Sequence, residues 1–252
     1  MIEIHDHEAV REVRMARPPV NALSPELIAA LTEAITGAPK AGARGLVLSG
    51  APGMFSAGLD VPVLLKRNRA EMQETWRSFY ALMGSLAASR IPVFAAITGH
   101  SPAGGAVLAL YCDGRVMAQG EFRIGLNEVQ VGISLPPVIH AALHRLVGAR
   151  QAERLSVGGL MIPADEALRI GLVDELVPPD RVVARAVELC ASLLALPAQA
   201  MASTRRMARA DLLQLFRGDS DSELDAVLDS WWSDETQATL HALVERLAKR
   251  KG

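Results

Sequence analysis

Two short apolar runs, ARGLVLSG (residues 43–50) and VFAAIT (93–98), each lead into a turn built on small residues: MFSAGLDV (54–61) and SPAGGAVL (101–108). A run of five or six apolar residues bounded by turn signals reads as a buried strand. The second turn opens directly into AVLALYC, which reads as a helix. A strand–turn–helix unit that recurs along a chain needs its strands side by side with helices packed outside them, so the pattern predicts an α/β core.

The rest of the chain fits that frame. MIEIHDH and AVREVRMA alternate as a hairpin or adjacent strands. Ser24, Pro25 and Glu26 mark a helix start as N-cap, first residue and first-turn acid; Leu27, Ile28, Leu31 and Ile35 share one face, and Gly37 ends it. Residues 62–89 read as one or two helices, stopped at RIP. RVMAQ and FRIG read as short strands. From PPVIHAALHRLVG onward the chain is mostly helical, with brief strands at LMIPA and VDELVP and three helices over residues 197–250. Residues 1–195 are expected to form the α/β core and residues 196–252 a helical region.

Composition excludes several function classes. The 252 residues include 26 basic and 28 acidic side chains, a balance with no footprint for nucleic acid or an anionic membrane. Aromatic residues make up only 4%, too few for base stacking to be the main activity. Cys112 and Cys190 lack CxxC spacing and build no disulfide framework, which fits a reducing compartment. MIEIHDHEAV does not read as a signal peptide, and no apolar run reaches the about 18 residues of a membrane span. A soluble cytoplasmic protein is expected.

Three features carry chemistry. Each glycine turn leaves backbone N–H groups unblocked. Two such turns can aim two donors at one oxygen, as an oxyanion hole does; equally, the glycines can serve only to turn the chain. Neither turn matches a nucleotide-phosphate loop. The third feature is Glu128 in FRIGLNEVQVGISLPP (122–137), a carboxylate among Ile124, Leu126, Val129, Val131 and Ile133. It is either a solvated carboxylate at a strand end or a base held in an apolar pocket, whose surroundings raise its pKa.

FSAGLD, SPAGG, CDGRV and IGLNEVQVGI, in this order, resemble the signature segments of the enoyl-CoA hydratase/isomerase (crotonase) superfamily, and most of all its Δ3,Δ2-enoyl-CoA isomerases of the dodecenoyl-CoA isomerase type. The similarity runs from RPPVNALS (17–24) through ARQAERL to the C-terminal helices. It implies a spiral of ββα repeats followed by helices that make trimer contacts, in a homotrimer or dimer of trimers. It implies an acyl-CoA substrate, with no cofactor beyond the coenzyme A of that substrate, and a role in fatty acid β-oxidation. It assigns the acid/base to Glu128 and the oxyanion donors to the N–H groups of Ala57 and Gly104. The substrate groove falls on Ala57, Gly58, Leu59, Asp60, Val61 and Gly104.

One departure separates this chain from the hydratases of that superfamily. They carry a second glutamate on the helix after the second glycine turn, and counting back from Cys112–Asp113 puts Val107 at its position. A valine cannot activate water, whereas one carboxylate can move a proton from C2 to C4 of a single substrate. Two other readings stay open: another crotonase-type enzyme such as a hydratase, and a non-catalytic acyl-CoA-binding relative.

The remaining candidates are weaker. His140 and His144 stand four residues apart, but no third ligand is evident and HExxH is not matched, so no metal site is expected. His100 is read as structural, Asp60 as a local cap and Cys112 as core. Asn127 is placed to orient Glu128. Trp231 and Trp232 belong to a helix at the core, at a subunit interface or at the wall of an acyl pocket.

Overall fold

The computed structural model describes residues 1–217 and 221–249. The first half runs β1 (Ile2–His7), β2 (Val10–Met15), α1 (Pro25–Gly37), β3 (Gly45–Ser49), β4 (Gly53–Met54), α2 (Val61–Leu64), α3 (Arg69–Ala88), β5 (Val93–Ile97), β6 (Gly99–Pro102) and α4 (Gly104–Leu110). The second half runs β7 (Gly114–Ala118), β8 (Arg123–Gly125), a 3-10 helix (Glu128–Val131), α5 (Pro137–Val157), β9 (Met161–Pro163), α6 (Ala164–Arg169), β10 (Glu175–Val177), α7 (Val182–Leu194), α8 (Ala198–Ala208), α9 (Ala210–Gln214), α10 (Asp221–Trp231) and α11 (Asp234–Lys249).

The long sheet has the order β1-β2-β3-β5-β7-β10, parallel from β2 onward, with β1 antiparallel at its edge. All residues of β3, β5 and β7 are buried, because helices cover both faces. The period of two decides which side chain goes where. Leu46, Leu48, Val93, Ala95, Ile97 and Met117 enter the main core with α1, α3 and α4. Val47, Phe94, Ala96, Val116 and Ala118 point the other way, onto Val182, Ala186 and Cys190 of α7.

A second sheet, β4-β6-β8-β9, sits beyond the carboxyl ends of the first. Each of β3, β5 and β7 is followed in the chain by one of its strands, which then hands over to a helix. This is the ββα unit that the resemblance implies. β4 and β6 lie so close that a Cβ on Gly99 would collide with the Gly53 backbone, so only glycine fits there. Three chain segments leave the strands of the second sheet in this way: residues 55–61 after β4, Ala103–Gly104 after β6, and the stretch bearing Glu128 after β8. Ligand sites in parallel α/β sheets form at this end.

The C-terminal region differs from expectation. In place of three helices over residues 197–250 there are four helical segments among the described residues, and residues 218–220 and 250 lie outside them. The break between α8 and α9 falls at Arg209, which turns inward. Its guanidinium donates to the Tyr111 carbonyl at 2.6 Å and lies 3.2 Å from Asp113, while Arg205 grips the same carboxylate with two bonds of 2.8 and 2.7 Å. A carboxylate shared by two arginines anchors this helical region to the sheet.

Candidate active site

Glu128 is the first residue of its 3-10 helix and is only 8% exposed. Its Oε2 is buried with no hydrogen-bond partner. Burial penalises the charged form and pushes the pKa up to about 7, offset in part by a backbone hydrogen bond. Of its apolar neighbours in sequence, Ile124, Leu126 and Ile133 are buried, whereas Val129 is 45% exposed. The carboxylate is therefore held away from water, and its burial excludes the reading of it as a solvated group at a strand end.

The second glycine turn is tied to this segment: the Ala103 N–H donates to the Gly125 carbonyl at 2.8 Å. α4 begins at Gly104, and the N–H groups of Gly104, Gly105 and Ala106 find no acceptor among the described residues; the first satisfied donor is Val107, bonded to the Ala103 carbonyl at 2.9 Å. Val107 itself is fully buried and packs in the main core.

The first glycine turn corrects an expectation. The Ala57 N–H donates to the Val20 carbonyl at 2.9 Å, so it is not free to bind a ligand oxygen. The free donor in this segment is two residues on. Leu59 forms an isolated parallel bridge with Leu23. Its neighbours take the bonds: the Leu23 N–H donates to the Gly58 carbonyl (2.7 Å) and the Asp60 N–H to the Leu23 carbonyl (3.1 Å). In a parallel bridge one residue makes both bonds, here Leu23, and the other leaves them to its neighbours, so its own N–H faces away; the Leu59 N–H meets no acceptor among the described residues.

Gly58 brings the two donors together. Its φ of +83° suits glycine, and a Cβ there would stand 2.9 Å from the Gly104 nitrogen. From the other side, a Cβ on Gly104 would stand 3.4 Å from the Leu59 nitrogen. Local sequence could not separate Leu59 from Ala57, because the bonds that use up one N–H and spare the other come from Val20 and Leu23, more than 30 positions away.

RPPVNALS braces this turn. Asn21 is 2% exposed, and its amide donates to the Phe55 carbonyl at 3.1 Å while the Ser56 hydroxyl donates to the Asn21 carbonyl at 2.7 Å. Asp60 pairs with Arg17 at 2.6 Å and caps α2 by accepting from the Val63 N–H at 3.3 Å, so its carboxylate is committed to holding the loop. Val61 opens α2.

The other candidates fall outside this cluster or play structural parts. His100 accepts from the Arg123 N–H at 3.2 Å and meets the edge of Phe122, bracing β6 against β8. Asn127 makes no side-chain cap to the 3-10 helix, and its Oδ1 is buried without a partner beside Glu128. The His140 and His144 rings lie 6.5 Å apart, and no group of three or more His, Cys, Asp or Glu is placed to hold a metal among the described residues. Burial pushes the Cys112 thiol up to about 12, which removes it as a nucleophile near neutral pH. Trp231 is buried in the core, and Trp232 lies under the Arg69 guanidinium, 5.8 Å from its ring centre.

The profile of the enoyl-CoA hydratase/isomerase family matches residues 5–250. The chain belongs to that family. It is 36% identical over 256 residues to the mitochondrial enoyl-CoA delta isomerase 1 of Mus musculus, covering 100% of this chain and 88% of that one. To the Homo sapiens protein of the same name it is 34% identical over 258 residues, covering 100% and 84%. Its fold superposes on the crystal structure of human mitochondrial delta3-delta2-enoyl-CoA isomerase with a TM-score of 0.95 at 32% identity, across 100% of this chain and 99% of that one. These full-length relatives place it on the isomerase side of the family. They also overturn the expected cytoplasmic location, since they are mitochondrial proteins. Two free, buried cysteines do not distinguish one reducing compartment from another.

Proposed function

We propose that the protein is a Δ3,Δ2-enoyl-CoA isomerase that moves the double bond of a 3-enoyl thioester into conjugation with the carbonyl. One observation carries this reading. A buried carboxylate with an unpartnered oxygen stands on the segment that the Ala103–Gly125 hydrogen bond ties to the turn holding the unpaired Leu59 and Gly104 N–H groups, and the helix position where the resemblance would put a second carboxylate is Val107.

The C2 hydrogen of a 3-enoyl thioester is acidic because the anion spreads over the thioester oxygen and the diene. Glu128 takes that proton as carboxylate and returns it to C4 as carboxylic acid, so the enzyme ends as it began. The Leu59 and Gly104 N–H groups hold the thioester oxygen as it gains charge; one such donor contributes roughly 3–4 kcal/mol in the transition state. Residues 57–61 with Gly104 line the thioester and coenzyme A groove. The apolar wall keeps the intermediate from solvent protons. No cofactor enters these steps. We place the reaction in fatty acid β-oxidation, and the assembly as a homotrimer or dimer of trimers, on the resemblance to the family.

The deciding experiment offers the purified protein 3-enoyl-CoA and, separately, 2-enoyl-CoA. Conjugated thioester absorbance is expected to rise with the first. With the second it is expected to fall, through hydration, at no more than about 1% of that rate, since a missing acid/base group costs about 10²–10⁴-fold. Comparable rates would make the protein a hydratase. Acyl-CoA binding without turnover of either would make it a non-catalytic relative.

A pH profile follows from the same carboxylate. The base must be ionised in free enzyme, and burial pushes its pKa up to about 7. The kcat/KM for isomerisation is expected to climb about tenfold per pH unit below 7 and to level off above it. A flat profile between pH 5 and 8 would rule out Glu128 as the base.

A further inference from the structure

The 3-10 helix that carries Glu128 is closed from outside its own segment. Gly132 ends it in the left-handed region, with φ +78°. The Gly132 N–H donates to the Val129 carbonyl at 3.1 Å and the Ile133 N–H to the carbonyl of Glu128 itself at 3.0 Å. The Gly132 carbonyl then accepts a hydrogen bond of 2.5 Å from the Thr236 hydroxyl, in the first turn of α11.

Thr236 is 1% exposed and firmly held. Its N–H donates to the Ser233 hydroxyl oxygen at 3.2 Å, and the Ser233 hydroxyl donates to its Oγ1 at 3.0 Å. The approach to Gly132 is tight, since a Cβ on that glycine would lie 3.0 Å from the Thr236 Cα. A second contact between the same regions pairs the hydroxyls of Ser134 and Ser230 at 3.5 Å. Helical threonines usually bond back to the carbonyl four residues earlier, as Thr32, Thr75 and Thr239 do here. Thr236 instead reaches across to the segment that bears the carboxylate.

Glu128 needs such support, because its buried Oε2 has no partner and no other residue's side chain holds the carboxylate among the described residues. Its aim is set by the backbone beneath it and by packing. We propose that Thr236, steadied by Ser233, is a positioning residue that clamps the Gly132 end of the 3-10 helix and so fixes the aim of Glu128. This rests on reading Glu128 as the base.

Two measurements on the full chain test it, with Thr236→Val removing the hydroxyl at constant shape and Thr236→Ser restoring it. Hydrogen exchange over residues 128–134 is expected to quicken about fivefold or more in the valine variant, with the serine variant and residues 45–49 unchanged. A displaced base of about 1 Å costs roughly 10²-fold, so kcat on 3-enoyl-CoA is expected to fall about 10- to 100-fold in the valine variant, with KM within about twofold and the serine variant close to the parent. Unchanged exchange over 128–134 would overturn the clamp. Faster exchange with kcat within about twofold of the parent would overturn the positioning role. A parent that does not isomerise 3-enoyl-CoA would overturn the assigned reaction, and the exchange measurement would still decide the clamp.

Discussion

Glu128→Gln is expected to lower kcat on 3-enoyl-CoA by about 10³-fold or more and to leave acyl-CoA binding unchanged. Glutamine keeps the shape of the side chain but cannot carry a proton between C2 and C4, and general acid/base groups contribute about 10²–10⁴-fold. The same variant has a second signature in stability. Burial raises the Glu128 pKa from 4.5 to about 7. Between those values the unfolded chain is ionised while the native protein keeps the proton. The unfolded state then binds fewer protons, and native stability falls as pH rises through that window. The loss is about 3 kcal/mol, complete above pH 7. Glutamine does not titrate, so the stability of the variant relative to the parent is expected to improve by that amount between about pH 4.5 and 7. The unpartnered amide adds an offset of about 1–3 kcal/mol that does not vary with pH. Urea denaturation across this range checks the slope. Parallel curves for parent and variant would show that residue 128 is not a buried titrating group, and near-parental turnover would show that it is not the acid/base.

The second large effect concerns two backbone atoms. Replacing the peptide N–H of Leu59 or Gly104 by an ester oxygen deletes a donor without touching a side chain. Each ester is expected to reduce kcat by about 10²–10³-fold. The same replacement at Ala57 removes only the bond to the Val20 carbonyl. It is expected to cost about 1 kcal/mol of stability and to leave kcat nearly intact. The ester at 59 also weakens the Gly58 carbonyl as acceptor for the Leu23 N–H, so the thermal midpoint of each variant is measured beside its activity. Loss of turnover at 57 with retention at 59 would reverse the assignment made from the hydrogen bonds.

These two sites were legible in the sequence to different degrees. Glu128 stands out because a lone charge in an apolar run is costly, and the structure shows the burial and raised pKa that the run implies. Val107 is visible only against the superseded glutamate of related chains, and the structure adds that it is buried. The resemblance assigns Ala57, whose N–H the fold spends on Val20; local sequence shows that a glycine turn frees N–H groups, not which of them another part of the chain will use. Thr236 gives no local signal at all. It resembles any threonine in a first helical turn, and its partner Gly132 is about a hundred positions away.

By itself the sequence determined the elements. Buried five-residue runs made β3 and β5, Ser24 and Pro25 started α1, and the apolar neighbours of Glu128 foretold a perturbed carboxylate. These rest on propensity, capping and hydrophobic period, which act within a few residues. Only the tertiary structure decided which N–H groups stay free, that Arg209 breaks the helical tail by turning in toward Tyr111 and Asp113, and that α11 returns to hold the 3-10 helix. The physical reason is that hydrogen bonds saturate. A donor used by Val20 is lost to a ligand, and a donor that Leu23 passes over is kept for one. That choice is made by chain segments more than 30 positions apart, which only the folded chain brings together.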